Sequence, residues 1–186
     1  MKKLLGIVVL GLLFCNVGFA DDLMSILGVK LRDHIKNYEI KEDHGLGVYF
    51  EKTHFYGVLA KIQNDYFDNI LGVNTYEPTK KIINLTAYHK KEMNVLKCQR
   101  IIRTIFNKKK DGFLKRGYKL EYEKNLDGSY DERNKYFRKI SANFKKQNDF
   151  IDFISACDTE GKQGLKAQAK IWIIFTDDKV YKQISL

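Results

Sequence analysis

The chain has 186 residues, of which 44% are hydrophobic, and its 33 Lys and Arg against 23 Asp and Glu give a net charge of +10. This length suits one globular domain with a sizeable core. The chain has one proline and few serines, and it shows no low-complexity stretch, no linker and no convincing internal repeat. The positive charge is typical of a lysine-rich surface, and it also favours an anionic partner.

The first twenty residues have the three zones of a secretory signal peptide. Lys2 and Lys3 precede an apolar run over 4–14, and Gly18 and Ala20 place small residues three and one positions before a possible cut. This order suits the translocon and the signal peptidase. The run is shorter than the roughly 20 apolar residues that span a membrane, so we predict that residues 1–20 are removed.

Cleavage between Ala20 and Asp21 leaves residues 21–186 as a single domain, which we expect in the periplasm of a Gram-negative bacterium. Two alternatives are lipidation at Cys15 and retention of the apolar run as an uncleaved anchor. Lipoprotein signals need a small residue before the cysteine, whereas bulky Phe14 stands there. No later segment is apolar enough to cross a bilayer, so we predict no transmembrane segment in the mature chain. Because export separates the protein from nucleic acid, we also predict no nucleic-acid partner.

Two cysteines, Cys98 and Cys157, remain after cleavage. An even pair in an oxidising compartment predicts a disulfide. The bridge would close a loop of about 60 residues, which contributes about 4 kcal/mol in the chain-entropy model. Metal binding is the alternative, but the four histidines have no ligand-like spacing beside either cysteine. We therefore predict no metal site and no cofactor.

The first half of the mature chain has short β-rich runs and one clear hairpin signal. The run 66–76 and the run 81–89 flank Glu77-Pro78-Thr79-Lys80, where proline suits a turn and not a central strand. In the second run Ile83, Leu85 and Ala87 share one face. The elements predicted in this half are a short amphipathic helix at 32–38 and strands at 46–52, 55–62, 66–76 and 81–89.

The apolar spacing predicts one main amphipathic helix over 92–108. Apolar residues recur three and four positions apart and form one stripe, whereas Arg100 and Arg103 lie off it. Cys98 lies in the stripe, facing the core, where a disulfide partner could reach it. We expect Asp111-Gly112 to end the helix. The stripe consists of Val95, Cys98, Ile101, Ile102, Ile105 and Phe106.

The second half predicts more strands. Clean alternation over 118–123 indicates a half-buried strand, and Asp127-Gly128 indicates a turn. The segment 130–146 fits both periods, and the capping-box pair Ser129 and Glu132 favours a helix there. Further strands are predicted at 150–158, 165–176 and 179–186. Trp172 and Ile174 interrupt the polar face of the strand at 165–176, so we expect that face to be partly covered, as a helix packed on it would do.

These elements predict an α+β fold, a mostly antiparallel β-sheet with one main amphipathic helix packed on it and one disulfide. The bridge would join that helix to the first strand of the last hairpin.

The sequence has no convincing catalytic motif. Gly128-Ser129 lacks the surrounding G-x-S-x-G of a nucleophile elbow, and no phosphate-binding loop is present. Acid pairs such as Asp149 with Asp152, or Asp177 with Asp178, stand at strand edges or turns, where solvated carboxylates are the rule. We therefore predict no catalytic and no cofactor-binding residues.

The densest basic cluster is the candidate docking patch for an anionic partner. The alternative is a solvated helix end, where cations also favour the helix dipole. A second candidate combines three tyrosines with Arg133 and Arg138. The predicted patch consists of Lys108, Lys109, Lys110, Lys115 and Arg116.

The layout of a lysine-containing signal, one α+β domain and one cysteine pair resembles small exported proteins of Gram-negative bacteria whose function is not assigned. The run Leu27-Gly28-Val29-Lys30-Leu31, followed by a short helix, is similar to the start of outer-membrane assembly lipoproteins of the SmpA/OmlA type and of the β-lactamase-inhibitor-protein fold. This resemblance implies an envelope location and carries over no functional residues. The lipoproteins also need a small residue where Phe14 stands.

We therefore predict an exported, non-enzymatic periplasmic binding or envelope-accessory domain whose partner is an anionic envelope component or a protein. Two alternatives stay open. The first is a periplasmic hydrolase with an unrecognised site, and the second is an inhibitor or chaperone of a secreted partner.

Overall fold

A computed structural model describes residues 23–47, 52–63, 65–130, 135–159 and 167–177. The predicted signal at 1–20, its cut between Ala20 and Asp21, and the strand predicted at 179–186 lie outside the described residues. In the described ranges the elements are β1 (Ser25–Ile26), β2 (Val29–Lys30), a 3₁₀ turn (Ile35–Asn37), β3 (Ile40–Leu46), β4 (Thr53–Leu59), β5 (Ile70–Tyr76), β6 (Lys81–Tyr88), α1 (Val95–Lys115), β7 (Lys119–Tyr130), β8 (Lys135–Lys146), β9 (Asp149–Thr159) and β10 (Ala167–Asp177).

Eight of the strands form one antiparallel sheet in the order β3-β4-β5-β6-β10-β9-β8-β7. The sheet consists of two four-stranded meanders, and the last strand of each meander lies at the centre, where β6 pairs with β10. Helix α1 runs from the central strand β6 to the far edge strand β7. The predicted α+β class, an antiparallel sheet with one main helix packed on it, is confirmed.

The core lies on one face of this sheet. Helix α1 covers the second meander, where Phe106 stacks on Phe153 of β9 at 5.8 Å between ring centroids. The N-terminal segment with the β1–β2 hairpin covers the first meander, and Ile26 and Val29 are fully buried in it. The backbone N–H of Arg32 donates to the carbonyl of Ile82 in β6, which holds this segment against the sheet. Both layers share one continuous apolar cluster.

The predicted disulfide is confirmed. Cys98 of α1 and Cys157 of β9 are joined at an S–S distance of 2.03 Å, with their Cα atoms 6.0 Å apart. Both residues are fully buried. The bridge therefore ties the helix to the first strand of the last hairpin, as the apolar stripe indicates.

Both predicted hairpins are present. The β5–β6 turn closes with the N–H of Thr79 and of Lys80 donating to the carbonyl of Tyr76, and β9 pairs with β10 over the full length of both strands. A register shift after Asn74 changes one detail. It puts Ile82 rather than Ile83 in the core cluster with Leu85 and Ala87.

The main helix begins and ends later than predicted, because it covers Val95–Lys115 rather than 92–108. Asn94 caps it, with its side-chain oxygen accepting from the N–H of Lys97 at 2.8 Å. Gly112 lies inside the helix, where a Cβ atom would stand 2.4 Å from Cδ2 of Leu23. Gly117, at φ +80°, follows the last turn. This is the left-handed conformation that glycine supplies at helix ends.

The helix favoured for 130–146 is wrong, because Lys135–Lys146 forms strand β8 between β7 and β9. Ile140, Ala142 and Phe144 point into the core, so the period of two prevails over the period of three to four. The turn predicted at Asp127-Gly128 is also wrong, since both residues pair with β8 inside β7. Ser129 is likewise a strand residue rather than a helix cap.

Three shorter elements differ from their predictions. The helix expected at 32–38 is only the 3₁₀ turn. Strand β3 covers Ile40–Leu46 and overlaps the strand expected at 46–52 only at Leu46, while residues 48–51 lie outside the described ranges. The helix expected over the Trp172 and Ile174 face is not seen in the described ranges, since α1 packs on the opposite face of β10. None of the helices in the described part of the chain is both long and apolar enough to span a bilayer.

Candidate functional site

The most promising concave surface is a cleft of about 250 Å³ between α1 and the last two strands of the sheet. We call it the arginine cleft. The helix supplies one wall, β7 supplies Asn125, and β8 supplies the other wall. The described lining residues are Leu96, Gln99, Arg100, Ile102, Arg103, Asn125, Arg138, Lys139 and Ile140.

The helical period explains why these side chains meet. The buried side of α1 is formed by residues spaced three and four apart, from Cys98 through Ile102 and Phe106 to Phe113. Gln99 and Arg103 each follow a buried residue by one position and therefore stand at the edge of the buried face. Arg100 and Arg103 are one turn apart on the same side of the helix.

The lining of the arginine cleft is rich in cations and hydrogen-bond donors. Among the described residues around it, four are basic and none is acidic. The side-chain nitrogen of Gln99 is buried and has no hydrogen-bond partner within the described ranges. Arg138 has another interaction in the fold, so the site rests on Gln99, Arg100 and Arg103. An amide N–H₂ beside two guanidinium groups suits an oxyanion.

The floor of the cleft is apolar. Ile102 of α1 is 1% exposed and Ile140 of β8 is 8% exposed. Leu96 stands at the mouth and is 67% exposed. A ligand here would place its charged oxygens on the arginine side and a hydrocarbon portion against the isoleucines.

Positive charge is concentrated on the helix that forms the cleft. Between residues 95 and 115 there are seven Lys and Arg and one acid, Asp111. Such an excess attracts anions over a distance of about one Debye length, roughly 8–10 Å at moderate salt.

The structure does not bring the predicted docking patch together as one surface. Lys109 is 1% exposed, and its Nζ donates to the carbonyls of Leu23 at 3.3 Å and Ser25 at 3.1 Å. Lys110 pairs with Glu123 of β7. Lys108, Lys115 and Arg116 are exposed, and the carbonyl of Arg116 accepts from Lys146. Lys109 is thus a buried structural residue.

The sequence analysis missed the residues that form the arginine cleft. Arg100 and Arg103 appeared only as positions off the apolar stripe, and Gln99 carried no signal. The sequence contained one signal for this site: Arg103 directly follows Ile102 of the apolar stripe, and a basic residue in that position stands at the boundary between helix and sheet. Arg138 was part of the second candidate, and it lines the cleft.

A second, more open groove of about 540 Å³ lies on the outer face of the first meander. Gly57 and Gly72 pair across β4 and β5 and leave a depression there. The side chains of Glu42 and Phe55 lie over these glycines, within 3.1 Å of where a Cβ would stand. His44 hydrogen-bonds to Glu42 at 3.0 Å. Glu42 and Phe55 therefore line the groove together with the two glycines.

The predicted acid pair Asp149 and Asp152 does not converge on a common point. Asp149 pairs with Arg32 at 3.4 Å, whereas Asp152 accepts from Asn143 at 2.9 Å and from Tyr122 at 3.3 Å. Burial raises the pKa of the Tyr122 hydroxyl, and the negative charge of Asp152 raises it further. Asp177 has no described side chain, and Asp178 lies outside the described residues.

Among the described residues, the shortest carboxylate–histidine contact lies at the edge of the first meander. His54 and Asp43 are 2.5 Å apart, and His54 stacks on Tyr56 at 4.2 Å between ring centroids. The hydrogen bond from His54 lowers the pKa of Asp43, and the N–H of Gly45 lowers it further. Within the described ranges, no three His, Cys, Asp or Glu side chains are grouped so as to hold a metal ion.

Comparison of the chain with models of known protein families, with curated proteins and with solved structures found no match. The site is therefore judged on its own chemistry.

Proposed function

We propose that the chain is an exported, non-enzymatic binding domain of the bacterial envelope, and that the arginine cleft takes an anionic group of its partner. The observation that carries this proposal is the buried side-chain nitrogen of Gln99, which has no hydrogen-bond partner among the described residues and lines an apolar-floored cleft together with Arg100 and Arg103. These groups donate hydrogen bonds and neutralise charge. A hydrolytic site would instead need a nucleophile with a base in hydrogen-bond reach.

Two features support export. The pattern of residues 1–20 is that of a cleavable signal, and the Cys98–Cys157 bridge fits an oxidising compartment. Cleavage after Ala20 also keeps Leu23, which is buried and whose carbonyl accepts from Lys109. A cut only a few residues further along would remove this contact.

The test uses mature protein isolated from the periplasm of a Gram-negative host that expresses the full chain. We expect a mass that begins at Asp21 and no free thiol. We expect saturable binding when the protein is titrated with glycerol phosphate and the NMR chemical shifts of the arginine side chains are monitored. Arg100→Gln with Arg103→Gln should weaken that binding at least tenfold, since two of the charge-assisted bonds are lost.

The matched control is Lys108→Gln with Lys115→Gln, which removes the same charge from α1 outside the cleft and should leave the affinity nearly unchanged. Equal losses in the two double variants would assign binding to net charge and contradict the cleft. Reduced protein with Met1 intact inside the cell would contradict export.

A further inference from the structure

The exposed side of α1 carries two large apolar side chains that do not contribute to the buried face of the helix. Leu96 is 67% exposed and Leu114 is 41% exposed. They are eighteen residues apart, which is five full turns at 3.6 residues per turn, so both point in the same direction about 27 Å apart along the axis. Two large apolar side chains thus mark the two ends of one solvent-facing stripe.

Basic residues fill the space between and beside these leucines. Lys97, Arg100, Arg103, Lys108 and Lys115 are all exposed on this side of the helix. Asp111 is the acid among them. A cationic stripe with an exposed leucine at each end suits an anionic lipid surface, because the cations can contact headgroup phosphates and the leucines can reach the acyl chains.

Helix α1 is held firmly enough to present this stripe as a rigid surface. The disulfide fixes its first turn to β9, Ser155 of β9 donates to the carbonyl of Ile102 at 3.1 Å, and buried Lys109 binds the N-terminal segment. The stripe is therefore already formed in the folded protein and does not need to fold on binding.

We infer that this stripe docks the protein on an anionic lipid bilayer, with Leu96 and Leu114 inserted and a lipid phosphate held in the adjoining arginine cleft. The inference rests on the proposed function, because the cleft opens beside the same stripe and Leu96 belongs to both. Charge complementarity selects the occupant: the stripe has an excess of cations, and an anionic bilayer offers both the phosphates and the hydrocarbon layer.

The test is co-sedimentation of mature protein with vesicles of phosphatidylcholine that contain 30% phosphatidylglycerol, compared with vesicles of phosphatidylcholine alone. Native protein should bind the anionic vesicles at least tenfold more tightly, and the binding should weaken steeply as salt shortens the Debye length. The variant Lys108→Gln with Leu114→Ser and Lys115→Gln should lose at least tenfold of this affinity, while its glycerol phosphate binding stays unchanged.

The matched control is Lys36→Gln with Lys41→Gln and Ile62→Ser, which removes equal charge and one exposed isoleucine from the 3₁₀ turn, β3 and the loop after β4, away from α1. It should bind vesicles as native protein does. Equal losses in the two triple variants, or no preference of native protein for anionic vesicles, would overturn the inference. Retained glycerol phosphate binding without vesicle binding would leave the proposed function standing and favour an acidic protein as the partner. Circular dichroism and thiol counting check that each variant is folded.

Discussion

Lys109 is a lysine with almost no exposure on the core-facing side of α1. An ammonium group in a protein interior is costly unless its hydrogen bonds are satisfied. Here the carbonyls of Leu23 and Ser25 accept from it at 3.3 and 3.1 Å. The long side chain thus links the helix to the N-terminal segment just before and within β1.

We expect Lys109→Met to lower the free energy of unfolding by about 1–3 kcal/mol, because the buried carbonyl oxygens lose their donor while the packing volume is nearly kept. Urea unfolding followed by circular dichroism measures the change. Lys108→Met, at the exposed neighbouring position, should stay within about 0.5 kcal/mol. A more stable Lys109→Met variant would mean that burying the charge costs more than its hydrogen bonds contribute.

At the scale of the elements, the contact of α1 with the N-terminal segment depends on Gly112. Glycine inside a helix is about 1 kcal/mol less favourable than alanine, so its place there needs a packing reason. Leu23 supplies it, since its Cδ2 would lie only 2.4 Å from a Cβ at position 112. The glycine lowers the helix propensity at this position, but it lets the N-terminal segment pack directly on the helix backbone.

This contact predicts a change of sign in a double-mutant cycle. Gly112→Ala should destabilise the native protein by about 1 kcal/mol or more, since overpacking forces Leu23 aside. In a Leu23→Ala background the same change should stabilise by up to about 1 kcal/mol, because only the helix propensity remains. Thermal and urea unfolding of the four proteins measure the coupling. A stabilising Gly112→Ala in both backgrounds would show that Leu23 moves freely.

For the whole molecule, the disulfide adds a covalent cross-link between the helix and the sheet. It joins positions 59 residues apart, and the strands β7 and β8 lie between them. Because β6 and β10 meet only after the chain has passed through all four strands of the second meander, the folded topology is strongly non-local. In the unfolded chain, the disulfide keeps residues 98 and 157 together and so lowers the entropy lost when these distant segments meet on folding.

We expect Cys98→Ala with Cys157→Ala to lower the free energy of unfolding by about 4 kcal/mol, the chain-entropy value for this loop, within a usual range of about 2–5 kcal/mol. Guanidinium unfolding at equilibrium provides the measurement. Both sulfurs are fully buried, so a mild reductant should leave the native bond intact. A loss below about 1 kcal/mol would mean that the unfolded chain is already compact without the bridge.

Much of the fold could be predicted from local patterns. Alternation in β7 and β10 and the apolar stripe of α1 each follow from the period of one element, and the turn between β5 and β6 follows from its proline. The disulfide pairing followed from the two cysteines that remain after the predicted cleavage, with Cys98 on the stripe.

What failed was decided by contacts from outside the segment. The segment 135–146 fits both periods, and only pairing with β7 on one side and β9 on the other makes it a strand. From the sequence alone, Gly112 indicates the end of a helix. In the fold it lies inside the helix, because Leu23, far away in the chain, leaves no room there for a larger residue. The exposure of Lys108 and the burial of Lys109 depend on how α1 is rotated against the N-terminal segment.

The amino-acid sequence by itself determined the strands with clear alternation, the main helix, its basic character and the cysteine pair, since these properties depend on near neighbours in the chain. The tertiary structure alone decided the strand order, the burial of Lys109 and the arginine cleft. The cleft's walls come from α1 and from strands β7 and β8, which follow it in the chain. The side chains that line the cleft come together only where the helix packs across the sheet, so the periodicity of a single element cannot predict the cleft.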